Sequence, residues 1–423
     1  MNAAQKSSSF FRKEKTVDRR NFYLFGIKIL SLKLRRRHNF TRWLDGIRKK
    51  NPDQIAFISA PNFWDNPLYL YEYIKQHDPT KRLVWFVTNR NLEDRAKGIY
   101  HLRSAEGIKQ LQQSKYIVSN HIGEYLDFLN SDEHIIINLW HGMPIKVIGI
   151  NEKTLDIVSK QRWDYVIRNS RMFATSDIFK NLISASTGVP YNHIYVTGQA
   201  RNDSIFSKKH DEAVEKLLNI SSYRYVILYS PTWKERPGYA EREIYKAFNN
   251  LFYMDDYNEQ EFIDYLEKEN ILFIVKPHPQ EEDFYTAQSE HMALFKSRNV
   301  RLLTNRMLFD AGIYLYEIFK FMDIMISDLS SIAIDYLITG KKVIYVDNLT
   351  EEISDKRGVL LPDNYRLLQI GNAVNTYQEL LAEIKKSLSG APPLINTNQL
   401  ALLHRYTDAN SCQRIYEIMK SLD

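Results

Sequence analysis

His141 and His278 are the residues of this chain best suited to move a proton or to steady a phosphate. A histidine with an ordinary pKa of ~6.5 can take a proton from a hydroxyl near neutral pH. His141 lies in Trp140-His141-Gly142-Met143-Pro144. Gly142 permits close backbone approach or a positive φ, and Pro144 disfavours helical geometry at Met143, so the imidazole stands on a turn with Lys146 close behind it. His278 lies in Val275-Lys276-Pro277-His278-Pro279-Gln280, an extended loop held by two prolines. Lys276 and His278 there suit a phosphate through charge-assisted hydrogen bonds. In Ile326 to Val346 an apolar run stops at Asp328, Ser330 or Ser331 caps a helix, and Gly340 ends it. Hydroxyls and backbone N–H groups at a helix start hold an anion without a Gly-rich loop. Taken singly, each segment has a plainer explanation: a structural histidine, a rigid turn, an ordinary capped helix.

These groups need short buried strands to carry them. Ile135, Ile136, Ile137 and Leu139 form an almost continuous apolar run, as in a parallel strand covered on both faces, and His141 follows its carboxyl end, where open α/β sheets bind ligands. From Asn51 onward, strand patterns at Ile55 to Ser59, Leu83 to Val87, Tyr116 to Ser119, Ile135 to Trp140, Tyr165 to Arg168 and Ile194 to Thr197 alternate with helical stretches such as Ser104 to Gln113 and Ser176 to Ser186. A charged helical stretch, His210 to Ser222, precedes a second series at Tyr225 to Ser230, Ile271 to Val275, Val300 to Leu303, Ile324 to Ser327 and Val343 to Val346. The rhythm predicts an α/β fold of two parallel-sheet domains, 51–222 and 223–397, facing a central cleft. Residues 398–423 predict helices, broken around Thr407 to Ser411, that cross back to the first domain. Gly198 to Asp203 and Ser230 to Lys234 also follow strands, which puts all five segments on one side of two sheets.

Composition narrows the function classes. With 423 residues, 44% hydrophobic and 26% charged, the chain reads as globular and able to bury a large core. One cysteine, Cys412, excludes a disulfide framework and a cysteine metal cluster, fits a reducing compartment, and has no base beside it. No carboxylate or third histidine sits at ligand spacing from His141 and His278, so no metal is expected. The absence of a signal-peptide core or a long apolar span leads to an expected cytoplasmic location. Residues 1–50 hold 15 Lys plus Arg against 3 Asp plus Glu, whereas the whole chain carries only +6, so the remainder is net acidic. Residues 1–18 read as a frayed polar end. Residues 21–43 mix Phe22, Tyr23, Phe25, Ile27 and Leu30 with Arg35, Arg36 and Arg37, which suits peripheral contact with an anionic membrane; the alternative is a hairpin or helix packed on the body. The acidic body behind this segment argues against nucleic acid as a partner.

In order, NLWHGMPIKVIG, TGQARND, LYSPTWKE, VKPHP, SDLSSIAIDY and RYTDANSCQRI, between Lys115 and Met419, resemble the CDP-glycerol glycerophosphotransferase family, whose members build teichoic acid and related capsule polymers. The resemblance implies a GT-B-like pair of Rossmann-type domains with the site between them and no cofactor. It implies transfer of glycerol phosphate, or ribitol phosphate in close relatives, from a CDP-glycerol or CDP-ribitol donor to a hydroxyl of a surface polysaccharide or lipid-linked acceptor, with release of CMP. By position, His141 takes the place of the general base, His278 that of the second catalytic histidine, and Ser330 with Ser331 that of the phosphate-binding pair. Substrate contacts are implied for Lys146, Arg201, Asp203, Thr232, Lys276, Asp328, Asp408, Ser411 and Arg414. Met143, Val147, Leu329 and Ala409 depart from the family pattern, and Cys412 takes the usual Ser place, leaving Ser411 as its substitute. These departures touch no proposed catalytic group but leave donor and acceptor identity open. Two other readings fit the same residues: a GT-B glycosyltransferase using a nucleotide sugar, and a non-catalytic polymer-binding scaffold.

Overall fold

The computed structural model describes residues 11–15, 19–24, 27–152, 157–232, 250–328, 330–347, 358–361, 365–390 and 397–422; before Phe40 only the backbone is described. Trp233, Lys234 and Leu329 of the sequence segments lie outside the described residues, as do 1–10, 16–18 and 25–26 of the basic N-terminal stretch. Within that stretch β1 (Phe11–Lys15), β2 (Arg19–Leu24) and β3 (Ile27–Lys33) form an antiparallel sheet, followed by the helix Leu34–Ile47. The expected frayed end thus includes a strand, with Phe11 to Lys15 in register against Leu24 to Arg20.

The first large sheet holds β4 (Asn51–Ile58), β5 (Arg82–Val87), β6 (Ile99–His101), β7 (Ser114–Ser119), β8 (Ile135–Asn138), β9 (Ser170–Ala174) and β10 (Ile194–Val196), all parallel, in the order β10-β9-β8-β7-β4-β5-β6. The second holds β11 (Tyr225–Tyr229), β12 (Ile271–Val275), β13 (Val300–Leu302), β14 (Ile324–Ser327), β15 (Lys342–Val346) and β16 (Asn372–Val374), also parallel, in the order β13-β12-β11-β14-β15-β16. The strand expected at Tyr165 to Arg168 is instead the end of the helix Ile157–Asn169, and the strand is β9 just after it. Trp163 and Val166 are buried three residues apart, a helical spacing that a short apolar run does not separate from a strand.

Period-two alternation explains why both faces of each sheet are covered. Ile55 and Phe57 enter one apolar cluster and Ala56 and Ile58 another; Ile227 and Tyr229 are likewise separated from Val226 and Leu228. The cluster holding Ala56 and Ile58 also holds Val226 and Leu228, so one core runs through both halves. The outer face of the first sheet is closed by the C-terminal helix Ser411–Ser421 through Cys412, Ile415, Tyr416 and Met419, spaced along one helical stripe. Among the described residues no helix is long and apolar enough to cross a membrane.

Strand order decides where a ligand can sit. In each large sheet the chain starts in the middle, builds outward one way, then returns to build the other way. The reversal falls between β4 and β7 in the first sheet and between β11 and β14 in the second. Connections leave such a point in opposite directions and open a crevice at the strand ends.

Candidate active site

The turn after β8 begins with a strained residue. Trp140 has φ +53°, uncommon for a bulky side chain and costing about 1–3 kcal/mol, so its surroundings must hold it there. Its N–H donates to Asn138 Oδ1 (3.1 Å), its carbonyl accepts from Asn66 Nδ2 (2.9 Å), and its ring stacks on His141 (4.7 Å). The strand therefore stops at Asn138 rather than at Trp140, and His141 is exposed. His141 Nδ1 lies 2.9 Å from the carbonyl oxygen of Asn120, at the end of β7. A carbonyl can only accept, so Nδ1 carries the hydrogen and Nε2 is the basic nitrogen of the neutral ring.

His121, the next residue along, is a group that reading the sequence passed over. Its Nδ1 is 3.0 Å from Asn120 Oδ1, and burial, then the neighbouring His141 and Arg162, push its imidazole down to about 4. It is therefore neutral at pH 7. The strand-end position that drew attention to His141 applies equally to His121 after β7.

Gly142 carries the turn to the other half of the molecule. Its φ is +143°, and a Cβ at this position would collide with Ser331 Oγ. The residue following His141 thus abuts the first residue of the helix Ser331–Tyr336, which follows β14. Ser330 is the cap residue of that helix, and both serines are half-buried. At the same switch point Asp328 is buried and accepts hydrogen bonds from the Thr232 N–H (2.9 Å) and Thr232 Oγ1 (2.8 Å), tying the loop after β11 to the end of β14. Further along, His278 follows β12 and is half-buried; its Nδ1 accepts from the Gln280 N–H (3.3 Å), which leaves the ring hydrogen on Nε2. The halves are also joined where the Val147 N–H donates to the Gly358 carbonyl (3.1 Å) and the Leu360 N–H to the Ile145 carbonyl (2.8 Å), with Lys146 bridged to Val359.

Several residues expected to meet substrate have other partners. Lys276 is buried, and its ammonium donates to Glu282 Oε1 (2.6 Å) and the Pro277 carbonyl (2.9 Å); burial lowers its pKa and Glu282 opposes the shift. Arg201 is turned inward and pairs with Asp65 and Asp335. Asp203 accepts from the N–H groups of Ser411 (2.9 Å) and Cys412 (2.8 Å), and so caps the C-terminal helix from a distant segment. Burial raises its pKa against those two hydrogen bonds. Ser411 is buried with its Oγ where a Cβ on Gly198 would fall, and the φ of +84° at Gly198 independently favours glycine. Arg414 pairs with Asp408, donates to the Thr197 carbonyl (3.1 Å) and stacks on Tyr406 (3.7 Å). The late segment is thus engaged in docking the last helix on the loop after β10. Among the described residues no group of three His, Cys, Asp or Glu could hold a metal ion.

Residues 41–421 match the family described as CDP-Glycerol:Poly(glycerophosphate) glycerophosphotransferase. The teichoic acid poly(glycerol phosphate) polymerase of Staphylococcus epidermidis is 27% identical over 226 residues, 47% of this chain and 30% of that protein. The teichoic acid glycerol-phosphate transferase of Staphylococcus aureus is 24% identical over 227 residues, 47% of this chain and 54% of that protein. The chain thus spans about a third to a half of these two relatives. For the teichoic acid glycerol-phosphate primase of Bacillus subtilis, 24% identity extends over 73% of this chain and 74% of the relative. Among solved structures, the wall teichoic acid polymerase TagF soaked with CDPG has a TM-score of 0.69 at 18% identity, covering 92% of this chain and 94% of that one, which shows the shared GT-B-like fold. The match of residues 41–421 takes in both large sheets and the turns that carry His141, His278 and Ser331, and the chain belongs to the CDP-glycerol:poly(glycerophosphate) glycerophosphotransferase family.

Proposed function

We propose that this protein transfers glycerol phosphate, or a related alditol phosphate such as ribitol phosphate, from a CDP-alditol to a hydroxyl of a surface-polysaccharide or lipid-linked acceptor. It releases CMP, in the synthesis of a teichoic acid-like, capsule or lipopolysaccharide polymer. The observation that carries this reading is an exposed His141 whose Nε2 is the basic nitrogen, one residue from the contact with the helix start at Ser331.

His141 Nε2 takes the proton of the acceptor hydroxyl as its oxygen attacks the phosphorus that bears the alditol. The bond from that phosphorus to the bridging oxygen breaks, and CMP leaves with the electron pair. His278, donating through Nε2, and the hydroxyls and N–H groups around Ser330 and Ser331 stabilise the charge on the leaving phosphate; one such donor is worth ~3 kcal/mol of transition-state stabilisation. Closing the two halves supplies proximity between acceptor and donor. The site lies in the cytoplasm, at the inner face of the cell membrane. Support for membrane contact comes from Phe40, Trp43 and Ile47, which expose 59%, 57% and 64% of their surface on one side of the basic helix Leu34–Ile47.

Incubation with CDP-glycerol, CDP-ribitol and UDP- and CMP-sugars, with the released nucleotide and the acceptor product identified, tests the reaction. CMP from a CDP-alditol with phosphodiester formation is expected. Turnover of a nucleotide sugar alone would make the protein a glycosyltransferase, and polymer binding without turnover of any donor would make it a scaffold.

A further inference from the structure

The guanidinium of Arg201, on a residue only 6% exposed, links both halves of the molecule at the His141 turn. Nη1 donates to Asp65 Oδ1 (2.7 Å) and to the carbonyl oxygen of His141 (3.1 Å), and Nη2 donates to Asp335 Oδ2 (2.8 Å). Asp65 starts the helix after β4 in the first half, whereas Asp335 sits on the helix Ser331–Tyr336 in the second. The other oxygen of Asp65 accepts from Asn120 Nδ2 (2.9 Å), and Asn120 is the residue whose carbonyl holds His141 Nδ1. On the far side Asp335 is fully buried and also accepts from the Tyr316 hydroxyl (2.8 Å) and Asn202 Nδ2 (3.3 Å), while the Tyr316 ring lies 4.6 Å from the guanidinium.

With Nη1 held by Asp65 and the His141 carbonyl and Nη2 by Asp335, this buried cation is committed to protein partners on both arms, while its Nε is buried without a hydrogen-bond partner among the described residues. Removing it would strand two buried carboxylates, a costly state, so the three groups are stable only as a set. Because the carboxylates belong to different halves, the set is complete only when Gly142 is seated against Ser331.

We propose that Asp65, Arg201 and Asp335 form a closure latch that positions His141. Closure assembles the bridge, and the bridge fixes the imidazole twice: through the His141 carbonyl, and through Asp65 and Asn120 to the ring. The three are positioning residues. The kinetic consequence rests on the transferase reading above; the effect on closure does not.

The test compares wild type, Asp335→Asn, Asp335→Glu and Arg201→Lys in the full chain. CMP release from CDP-glycerol, small-angle X-ray scattering and thermal melting are measured for each. Arg201→Lys keeps the charge but loses the fork that spans both carboxylates. For Asp335→Asn and Arg201→Lys, kcat is expected to fall by roughly 10²-fold with KM for the donor within about threefold of wild type. Their maximum dimension in scattering should grow while melting stays cooperative, and Asp335→Glu should recover part of the lost kcat. A KM that rises with kcat unchanged would make Arg201 or Asp335 a substrate contact and overturn the latch, as would unchanged kcat and unchanged dimensions. If the wild type releases no CMP from CDP-glycerol or CDP-ribitol, the transferase reading falls, and scattering decides the latch alone: expansion of the variants supports it, and equal dimensions sink it.

Discussion

His141 is oriented by a peptide carbonyl, so its working tautomer is set by backbone geometry at Asn120 and not by a partner carboxylate. Beside it, His121 is held neutral at pH 7 by burial and adds no competing charge. Replacing His141 by Ala should therefore remove the proton acceptor without disturbing the turn's backbone. The expected result is a kcat lower by about 10²- to 10⁴-fold, with binding of CDP-glycerol, measured by calorimetry, retained. Near wild-type turnover in His141→Ala would place the base elsewhere.

At the scale of elements, two carboxylates attach peripheral helices to the first sheet. Asp203 takes over the capping of Ser411–Ser421, where the cap residue Asn410 makes no side-chain bond of its own. Asp203→Ala should cost about 1–2 kcal/mol in urea unfolding and lower Tm while leaving KM of the folded enzyme near wild type. A direct substrate role would instead raise KM at unchanged Tm. Asp45 anchors the helix Leu34–Ile47 by accepting from Lys50 Nζ (2.8 Å), His134 Nε2 (2.8 Å) and the N–H groups of Asn130 (2.6 Å) and Ser131 (2.8 Å). Burial opposes its ionisation, but the His134 and Lys50 hydrogen bonds outweigh burial and hold its carboxyl down at about 2. A depressed folded pKa stabilises above the unfolded value and is lost as pH falls through the folded one, so its contribution, on the order of 2 kcal/mol, should be present at pH 7 and fade between about pH 4 and 2. Asp45→Asn should lose that stability at pH 7, and the gap to wild type should narrow as the solution is acidified. A gap that does not change with pH would refute this assignment.

For the whole molecule, the N-terminal helix is secured on one side by Asp45 and leaves Phe40, Trp43 and Ile47 on the other, with Phe40 and Trp43 stacked at 5.8 Å. Inserting large apolar side chains yields about 1.5–3 kcal/mol each, and nearby Lys or Arg add ~1 kcal/mol apiece on an anionic leaflet. Replacing all three residues with Ser should weaken sedimentation with phosphatidylglycerol vesicles by at least about 10²-fold and leave turnover on a soluble acceptor unchanged. Equal vesicle binding by wild type and triple variant would remove this face as the contact.

The strand ends that carry His141, Thr232, His278 and Ser330 were legible because each follows a local signal: an apolar run of strand length, then Gly, Pro or Ser. The bounds of β12 and β14 match the runs Ile271 to Val275 and Ile324 to Ser327 for that reason. Of the three-residue strands, β10 and β13 were expected, whereas β6 (Ile-Tyr-His) and β16 (Asn-Ala-Val) escaped notice because a polar residue interrupts each apolar run, and β9 because the helix before it ends in residues that also suit a strand. The partners of the polar groups were not legible. Lys276 and His278 share one loop, yet only the fold buries the lysine on Glu282 while leaving the histidine half-exposed. Asp65, Asn120, Arg201 and Asp335 are far apart in the chain, and no spacing rule relates them. They meet because strand order brings the ends of β4 and β7 together and packs the helix after β14 against the turn after β8. Local periodicity determines which residues end a strand, since it depends on neighbours a few positions away. Which charges face one another depends on how two sheets are ordered and closed, a choice made by the buried surface of the entire chain.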